Sequence, residues 1–455
     1  MNFIPRGIDA WRKDHLLGRV VRNSSYLFIS SVISAVLSIV TANMLGVVGF
    51  GVLGIIIAFV SNINRLLSFR MSELVVKYVS EAVASGEKEK AAAVVKAAGI
   101  AEALTSLFAY LVLLALTPFA AQYIAHDPGL TPFFYLYGIS ILTHFASETA
   151  TGVLQVSGHY RSQALINLLQ SVATAFGIVY AYFTHAGLLT VLLAYLIGKV
   201  ILGLCPILVA LYWLPRFLYT GWQRASFSLL PPRRELIRFG ISTNFSGTIN
   251  MVARDSEVLW VGYFFSPLVA GYFKTALAII NLVVMPITPF IATTYPEITQ
   301  SVATHQWLRL KNLLRRVTIL SGGWTLAVTF GLLLYGRQLL FNPVTILGKT
   351  FSVYSSEFLP AFSILMILLV GFGFANIFFW NRPLLLAYGK ADYALWSAFI
   401  GMVGKVCLAF LLLPQSGYLA EAWLLSVYFI ITVGSMVWQG LTRLSSESVR
   451  QSSDR

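Results

Sequence analysis

The sequence predicts an all-α polytopic membrane protein, and three observations support that fold class. Hydrophobic residues make up 57% of the 455 residues, charged residues make up only 11%, and the mean hydropathy is +0.77. A soluble domain could not bury so many apolar side chains. The apolar runs, such as SILMILLVGFGFANIFF at residues 363–379, do not alternate with polar residues as the short strands of a membrane β-barrel would.

The number of membrane crossings follows from the length of the apolar segments. A helix needs about 20 residues to cross roughly 30 Å of hydrocarbon. The sequence contains twelve such segments, numbered here as spans 1 to 12: residues 24–45, 49–69, 91–117, 132–156, 163–184, 188–213, 239–264, 268–295, 313–336, 358–385, 391–413 and 418–440.

The longest polar interruption, residues 215–238, divides these spans six and six. It contains three prolines and five arginines. The predicted organisation is a cytoplasmic amphipathic lead-in at residues 1–22, an N-terminal six-helix lobe at 23–213, a basic cytoplasmic connector at 214–238, a C-terminal six-helix lobe at 239–442 and a polar cytoplasmic tail at 443–455.

The net charge of +14 is explained by topology. Most of the 32 Lys and Arg residues fall on alternate interhelical segments, whereas the opposite loops hold only Arg337 and Lys349. By the positive-inside rule, this asymmetry predicts an inner-membrane protein with both termini in the cytoplasm. The expected partners of the basic surface are anionic membrane lipids, and no nucleic-acid partner is expected.

Several other classes of site are excluded by context. Cys205 and Cys407 stand alone in apolar segments, so neither a disulfide nor a metal site is expected. The G-x-G-x-x-G match at residues 49–54 lacks a preceding strand, and we interpret it as a tight turn between closely packed helices. There is no zinc-helix motif, nucleophile elbow or Walker loop, so we expect neither an enzyme nor a cofactor.

The two halves share an order of features that indicates an internal repeat. Gly51 matches Gly271 and Ala58 matches Ala278 at an offset of 220, and Gly158 matches Gly389 at an offset of 231. Because each half has an even number of spans, the halves share one orientation and are related by an axis along the membrane normal. This arrangement predicts a cleft between the two lobes.

Several motifs, taken in order, resemble those of a known family. They are LGVVGFGVLG after span 1, VKYVSEAVASGEKEKAAAVVKAA after span 2, RDSEVLWVGYFFSPLVAGYFKTA in spans 7 and 8, and NRPLLLAYGKAD near span 10. Together they resemble the polysaccharide-transport branch of the multidrug/oligosaccharidyl-lipid/polysaccharide exporter superfamily, over roughly residues 20–440.

The resemblance implies a V-shaped bundle of two lobes that flips a lipid-linked oligosaccharide from the cytoplasmic to the outer leaflet by alternating access. Such transport would serve polysaccharide or lipopolysaccharide biosynthesis, including O-antigen, beside polysaccharide polymerase or glycosyltransferase partners. The alternative is a cation-coupled multidrug exporter of the same superfamily. A mixed, partly basic set of intramembrane residues favours the glycan substrate.

Intramembrane polar residues supply the candidate site. At α-helical spacing, Asn250, Arg254 and Glu257 share one face of span 7, so Arg254 is expected to pair with Glu257 while Asp255 serves another neighbour. An arginine in mid-span costs about 2.5–3.5 kcal/mol and tends to face a cavity or a partner. The predicted substrate-binding residues are Arg254, Lys274, Arg382, Arg65, Asn250 and Asn281.

The acidic residues predict a second role. Glu257, Asp255 and Glu148 are candidates for structural ion pairs or for binding a coupling ion, either a proton or Na⁺. For the Ser, Thr and Asn stripes, helix packing remains an alternative to substrate contact.

Overall fold

The computed structural model describes residues 15–68, 71–342, 344–346, 349–351 and 353–453. The predicted lead-in at 1–22 lies mostly outside these residues. The helices are α1 (His15–Leu67), α2 (Met71–Ala84), α3 (Lys88–Phe119), α4 (Thr131–Thr143), α5 (Ser147–Val156), α6 (Tyr160–Phe183), α7 (Leu188–Phe217), α8 (Arg233–Asn250), α9 (Glu257–Phe264), α10 (Pro267–Val284), α11 (Thr288–Ala303), α12 (Trp307–Gly331), α13 (Arg337–Phe341), α14 (Pro360–Ile377), α15 (Asn381–Ala387), α16 (Ala391–Ser416) and α17 (Leu419–Ser453).

The all-α fold class is confirmed, with one small addition. Strands β1 (Val344–Ile346) and β2 (Lys349–Phe351) pair antiparallel in the loop between α13 and α14. Three residues per strand form a minimal hairpin, which leaves the helical architecture unchanged.

Nine stretches of the described chain are long and apolar enough to cross a membrane. One of them, Ile29–Ala84, covers most of predicted span 1 and all of predicted span 2, which are joined at Gly46. Gly46 has φ 68° and ψ 177°, a backbone conformation that glycine adopts readily. Span 4 is absent from the nine because it is broken into the short helices α4 and α5. Span 7 is absent because α8 begins with charged residues and α9 has only eight residues. The count of twelve crossings stays a prediction.

The chain divides into two compact units. The first comprises Met1–Met44, Phe59–Gln122 and Asp127–Gly247, and the second comprises Leu45–Ala58, Tyr123–His126 and Thr248–Arg455. Two short segments of the N-terminal half therefore belong to the second unit. The predicted lobe boundaries, 23–213 and 239–442, stay a prediction.

Each unit has its own apolar core. In the first unit, α2, α3 and α5 meet around Val75, Val79 and Leu154, and the consecutive alanines 91–93 of α3 are fully buried there. Small side chains at such a position let helices approach closely. In the second unit the fully buried side chains include Phe273 of α10 and Leu365 of α14.

Two spans are broken at polar contacts that satisfy their free backbone groups. Span 4 breaks between α4 and α5, and span 10 breaks between α14 and α15. At the second break, the Ser321 hydroxyl donates to the Ile377 carbonyl at 2.9 Å and the Trp380 indole donates to Thr318 Oγ1 at 2.7 Å. Span 8 is also interrupted, by a 3₁₀ turn at Met285–Ile287, where Pro286 and Pro289 predict a kink.

Span 7 is irregular where its charges lie. A π-helical turn, Met251–Asp255, separates α8 from α9. The Ser256 hydroxyl donates to the Met251 carbonyl at 2.8 Å, five residues earlier, and so closes the wide turn. A π turn adds a residue to the helical repeat, so side chains on its two sides do not follow α-helical spacing.

Candidate functional site

The second unit contains a buried cluster of three charged side chains. The ammonium of Lys405 on α16 hydrogen-bonds to Glu257 on α9 and lies 3.0 Å from Oε1 of Glu421 on α17. The lysine side chain is 2% exposed and both glutamates are fully buried. We call these three residues the buried charge cluster.

The irregular turn of span 7 helps to place the lysine. Nζ of Lys405 also donates to the carbonyl of Ala253, at 2.9 Å. Ala253 lies within the π turn, where regular helical hydrogen bonding is disturbed. The ammonium thus links the backbone of span 7 to two carboxylates from different helices, by two hydrogen bonds and one ion-pair contact.

The buried charge cluster has more acid than base. With all three groups ionised, two carboxylates face one ammonium. Within the described chain, Glu257 Oε2 and Glu421 Oε2 have no hydrogen-bond partner. Buried carboxylate oxygens normally carry such partners, since leaving them unpaired costs about 1–3 kcal/mol or more. The cluster can therefore accept a further positive charge.

The predicted pairing of Arg254 with Glu257 is wrong. Glu257 is fully buried against Lys405, whereas Nε of Arg254 donates to Oδ1 of the adjacent Asp255 at 3.2 Å. The prediction assumed unbroken α-helical spacing. The π turn and the break at Ser256 rotate Glu257 away from the face that carries Arg254.

Arg254 and Asp255 are accessible, with side chains 48% and 33% exposed. Among the described residues, nothing hydrogen-bonds to the two Nη nitrogens of Arg254, so most of its guanidinium donors are free. Ala253, whose carbonyl accepts from Lys405, directly precedes Arg254. The accessible pair and the buried charge cluster are therefore close neighbours within the second unit.

Lys274 is held by one aromatic residue. Its ammonium donates to the Phe50 carbonyl at 3.2 Å and lies 3.9 Å from the centroid of the Phe50 ring. No described carboxylate is within ion-pairing distance of it. A cation over an aromatic face contributes about 0.5–2 kcal/mol. Lys274 was predicted as a substrate contact. Its contacts with Phe50 indicate a structural role as well.

The remaining predicted substrate residues are dispersed. Arg382 of α15 and Asn281 of α10 are exposed in the second unit, and neither side chain has a hydrogen-bond partner in the described chain. Asn250 is half-buried at the end of α8, and Arg65 is exposed in the first unit; both of these interact with other residues. Their contacts with substrate stay predictions.

Glu148 belongs to a structural network in the first unit. Its carboxylate accepts from the Ser72 hydroxyl at 2.5 Å. The neighbouring acid Glu102, which is 1% exposed, accepts from the backbone N–H of Glu148 at 2.8 Å and from the N–H and hydroxyl of Thr149 at 2.9 and 2.7 Å. Glu102 thereby caps the N-terminus of α5, where span 4 breaks.

Sequence analysis missed Lys405, Glu421 and Glu102 as site or structural residues. Lys405 and Glu102 are charges within apolar runs, GMVGKVCLAFLLL and AAGIAEALTSLF, and Glu421 opens span 12. The sequence did contain one signal. An unpaired charge at membrane depth is costly, so each charged residue within an apolar run is expected to have a partner. Which charges pair depends on the packing of helices that are far apart in sequence.

Comparisons with known proteins agree with this architecture. Residues 39–355 match the family described as polysaccharide biosynthesis protein. The chain is 24% identical over 349 residues to inner membrane protein YghQ of Escherichia coli strain K12, covering 73% of this chain and 94% of that protein.

Solved structures show the same fold at low identity. A multidrug-resistance MATE-family transporter of the MOP superfamily in an inward-facing conformation has a TM-score of 0.71 at 13% identity, covering 92% of this chain and 95% of that one. The lipid II flippase MurJ in an inward closed conformation has a TM-score of 0.70 at 13% identity, covering 94% and 90%. A MOP-superfamily transporter from Pyrococcus furiosus has a TM-score of 0.64 at 14% identity, covering 98% and 100%.

These findings agree with the apolar helices, the two units and the motif order. The described chain has the make-up of a multi-pass membrane protein, with nine stretches that are long and apolar enough to cross a membrane. The chain belongs to the polysaccharide biosynthesis protein family, which agrees with the predicted resemblance to the polysaccharide-transport branch of the multidrug/oligosaccharidyl-lipid/polysaccharide exporter superfamily.

Proposed function

We propose that the protein flips a lipid-linked oligosaccharide, a glycan carried on polyprenyl pyrophosphate, from the cytoplasmic to the outer leaflet by alternating access. The observation that supports this proposal is the exposure of Arg254 and its unused hydrogen-bond donors. Its guanidinium is exposed within span 7 and retains free donors on both Nη nitrogens. A forked guanidinium suits phosphate oxygens, which it can bind in a bidentate manner.

The physical need for such a group is large. A pyrophosphate and its sugars lose their hydration in an apolar layer, which costs many kcal/mol unless polar groups replace the water. In this proposal Arg254 contacts the pyrophosphate, and the exposed Arg382 offers a second guanidinium in the same unit. The buried Lys405 is already matched by carboxylates and takes no part in contacting the glycolipid.

The proposed activity leaves the covalent structure of the substrate unchanged. Sequence analysis supports a transporter over an enzyme, because the chain has no recognisable catalytic motif. The lipid carrier and glycan would therefore be recovered intact after transport, which mass spectrometry of the extracted glycolipid can check.

We propose that a proton, rather than Na⁺, couples transport through the buried charge cluster. The ammonium of Lys405 already contacts both carboxylates, which is where a metal ion would have to bind. A proton needs no such space and can occupy the unpaired Oε2 of Glu257 or Glu421. Arg254 and Asp255 lie close to the cluster, because Lys405 also donates to the carbonyl of the preceding residue, Ala253.

A reconstituted transport assay tests the substrate. Vesicles containing the protein and a fluorescent polyprenyl-pyrophosphate oligosaccharide report the rate at which the label becomes accessible in the opposite leaflet. Loss of a charged hydrogen bond costs about 1.5–3 kcal/mol, so Arg254→Gln should slow flipping roughly 10- to 100-fold. Arg254→Lys keeps the positive charge but lacks the forked guanidinium, so its flipping rate should lie between those of the wild type and Arg254→Gln.

Arg309→Gln provides the matched control, since Arg309 is an exposed arginine of α12 whose contact is with the nearby Gln306. It should flip glycolipid at the normal rate. A normally folded Arg254→Gln protein that keeps the wild-type rate would contradict the proposed phosphate contact. Imposing a pH gradient or a Na⁺ gradient on the same vesicles identifies the coupling ion.

The excess of buried carboxylate also favours a second candidate, a proton-coupled exporter of small hydrophobic cations. Such an exporter would expel a fluorescent cationic dye when a pH gradient is imposed and would leave the glycolipid in its original leaflet. Dye export without glycolipid flipping would establish this candidate in place of the first.

A further inference from the structure

The first unit contains an apolar cavity of about 340 Å³ between α3, α5 and α7. Gly99 and Ala103 of α3, Ala150 of α5 and Ala210 of α7 line it, and their small side chains create the space. The volume falls within the range of about 300–1,000 Å³ that is typical of small-molecule sites. This cavity is separate from the buried charge cluster, which belongs to the second unit.

The apolar part of the cavity opens toward exposed hydrophobic side chains. Ile100, Phe145 and Leu211 line it and are each exposed to the surroundings. In a membrane, exposed aliphatic and aromatic side chains of this kind contact acyl chains. A lipid tail could therefore enter the cavity directly from the bilayer without crossing a polar layer.

Three lining residues of the cavity carry polar nitrogen groups. Lys96, Trp222 and Gln223 line it, the last two from the 3₁₀ turn Trp222–Arg224 of the connector. Nζ of Lys96 donates to the Ala225 carbonyl at 3.2 Å and lies 4.4 Å from the centre of the Phe227 ring. No carboxylate of the described chain is within ion-pairing distance of this ammonium.

The indole N–H of Trp222 gives a second, independent sign of a ligand. Trp222 is only 8% exposed, and its Nε1 has no hydrogen-bond partner among the described residues. A buried indole N–H normally finds an acceptor. An unpaired donor and a cation without a carboxylate therefore belong to two residues that line one apolar cavity.

We infer that this cavity binds an anionic phospholipid from the leaflet on the connector side of the membrane. One acyl chain occupies the cavity, and the phosphate lies beside Trp222 and Lys96, where it accepts from the indole N–H and neutralises the ammonium. A lipid with an uncharged or zwitterionic head would gain the same apolar contacts but less from Lys96. The inference rests on the first unit alone and holds whichever substrate the protein transports.

Native mass spectrometry of the purified full-length protein tests the site. The probes are a phosphatidylglycerol and a phosphatidylcholine with identical acyl chains, titrated separately. One lysine near an anionic lipid surface contributes about 1 kcal/mol, which corresponds to about five-fold in affinity. The wild-type protein should bind one phosphatidylglycerol at least five-fold more tightly than phosphatidylcholine, and Lys96→Gln should remove this preference.

A second variant blocks the cavity without changing charge. A Cβ at Gly99 would meet only a methyl group of Thr149, at 4.0 Å, so the side chain of Gly99→Leu can extend into the space. This variant should lose tight binding of both lipids while keeping its melting temperature. Lys90→Gln is the matched control, because Lys90 is on the same helix but pairs with Glu87 at 2.8 Å, away from the cavity.

Three outcomes would overturn the inference. They are equal affinity for the two phospholipids, unchanged binding by both Lys96→Gln and Gly99→Leu, or equal loss of binding in Lys90→Gln. If a polyprenyl phosphate without a glycan binds more than ten-fold tighter than phosphatidylglycerol, the occupant is the carrier lipid and the phospholipid assignment fails.

Discussion

Gly51 and Gly271, which correspond in the internal repeat, each pack against the backbone of the other's segment. A Cβ on Gly51 would overlap the carbonyl of Pro267 and lie 2.8 Å from the nitrogen of Gly271. A Cβ on Gly271 would overlap the carbonyl of Val47. Both glycines belong to the second unit, and the contact joins residues 45–58 to α10. The G-x-G-x-x-G match is therefore explained by helix packing. The predicted tight turn between spans 1 and 2 is wrong, because residues 49–54 are helical and Gly51 packs against α10.

Gly51→Ala should destabilise the protein by about 1–3 kcal/mol, because the added methyl meets backbone atoms that cannot rotate away. Thermal unfolding in detergent measures the effect. Gly404→Ala is the control, since no atom lies within 4 Å of the position where its Cβ would be placed. If the two variants melt at the same temperature, the close approach at Gly51 is incorrect.

Lys405→Met should lower the stability of the protein more than a surface substitution does, because it leaves two buried carboxylates without their cation. Removing one partner of a buried ion pair costs about 3–5 kcal/mol. The triple variant Lys405→Met/Glu257→Gln/Glu421→Gln should recover most of that stability, since no buried charge remains. Recovered stability without recovered transport would assign the cluster a role in coupling.

The exposed ion pair of Lys90 and Glu87 serves as the control for the stability loss expected in Lys405→Met. Lys90 and Glu87 are 2.8 Å apart but half exposed, and such pairs contribute little because water and salt screen them. Lys90→Met should therefore leave the melting temperature unchanged. A large loss in this variant, or none in Lys405→Met, would contradict the assignment of the buried charge cluster.

Span 7 contains both features that the sequence predicts and contacts that it does not. Its apolar length predicts a membrane helix, and Arg254 and Asp255 are accessible charges within it. The partner of Glu257 was not predictable, because Lys405 is 148 residues away in sequence and becomes a neighbour only through helix packing. The π turn that contains Arg254 is held by similar contacts, from Ser256 and from Lys405 to the backbone. Sequence periodicity predicts which residues share a face of one helix, but it does not predict contacts between helices.

Lys274→Met separates a structural lysine from a substrate contact. The variant loses the hydrogen bond to the Phe50 carbonyl and the cation–π contact, so its melting temperature should fall. The glycolipid concentration that gives half-maximal flipping should stay within two-fold of the wild type. If that concentration rises ten-fold or more at unchanged stability, Lys274 contacts the substrate as the sequence predicted.

Glu102→Ala should loosen the break in span 4. The change removes the acceptor for two backbone N–H groups and one hydroxyl, and an unsatisfied buried donor costs about 1–3 kcal/mol. Hydrogen exchange should increase at Glu148 and Thr149 before the rest of α5. Glu89→Ala on the same helix is exposed and should leave exchange at these two residues unchanged.

Both termini should lie in the cytoplasm if the basic segments mark the inner side. Single cysteines give the readout in a background lacking Cys205 and Cys407, which are both free thiols. In intact cells, a membrane-impermeant thiol reagent should label Arg337→Cys, on the predicted outer loop, but not Arg224→Cys, in the connector. Both positions are exposed in the structure, so a difference reports sidedness. After the cells are opened, both should be labelled. Labelling of Arg224→Cys alone in intact cells would reverse the topology and, with it, the predicted direction of glycolipid transport.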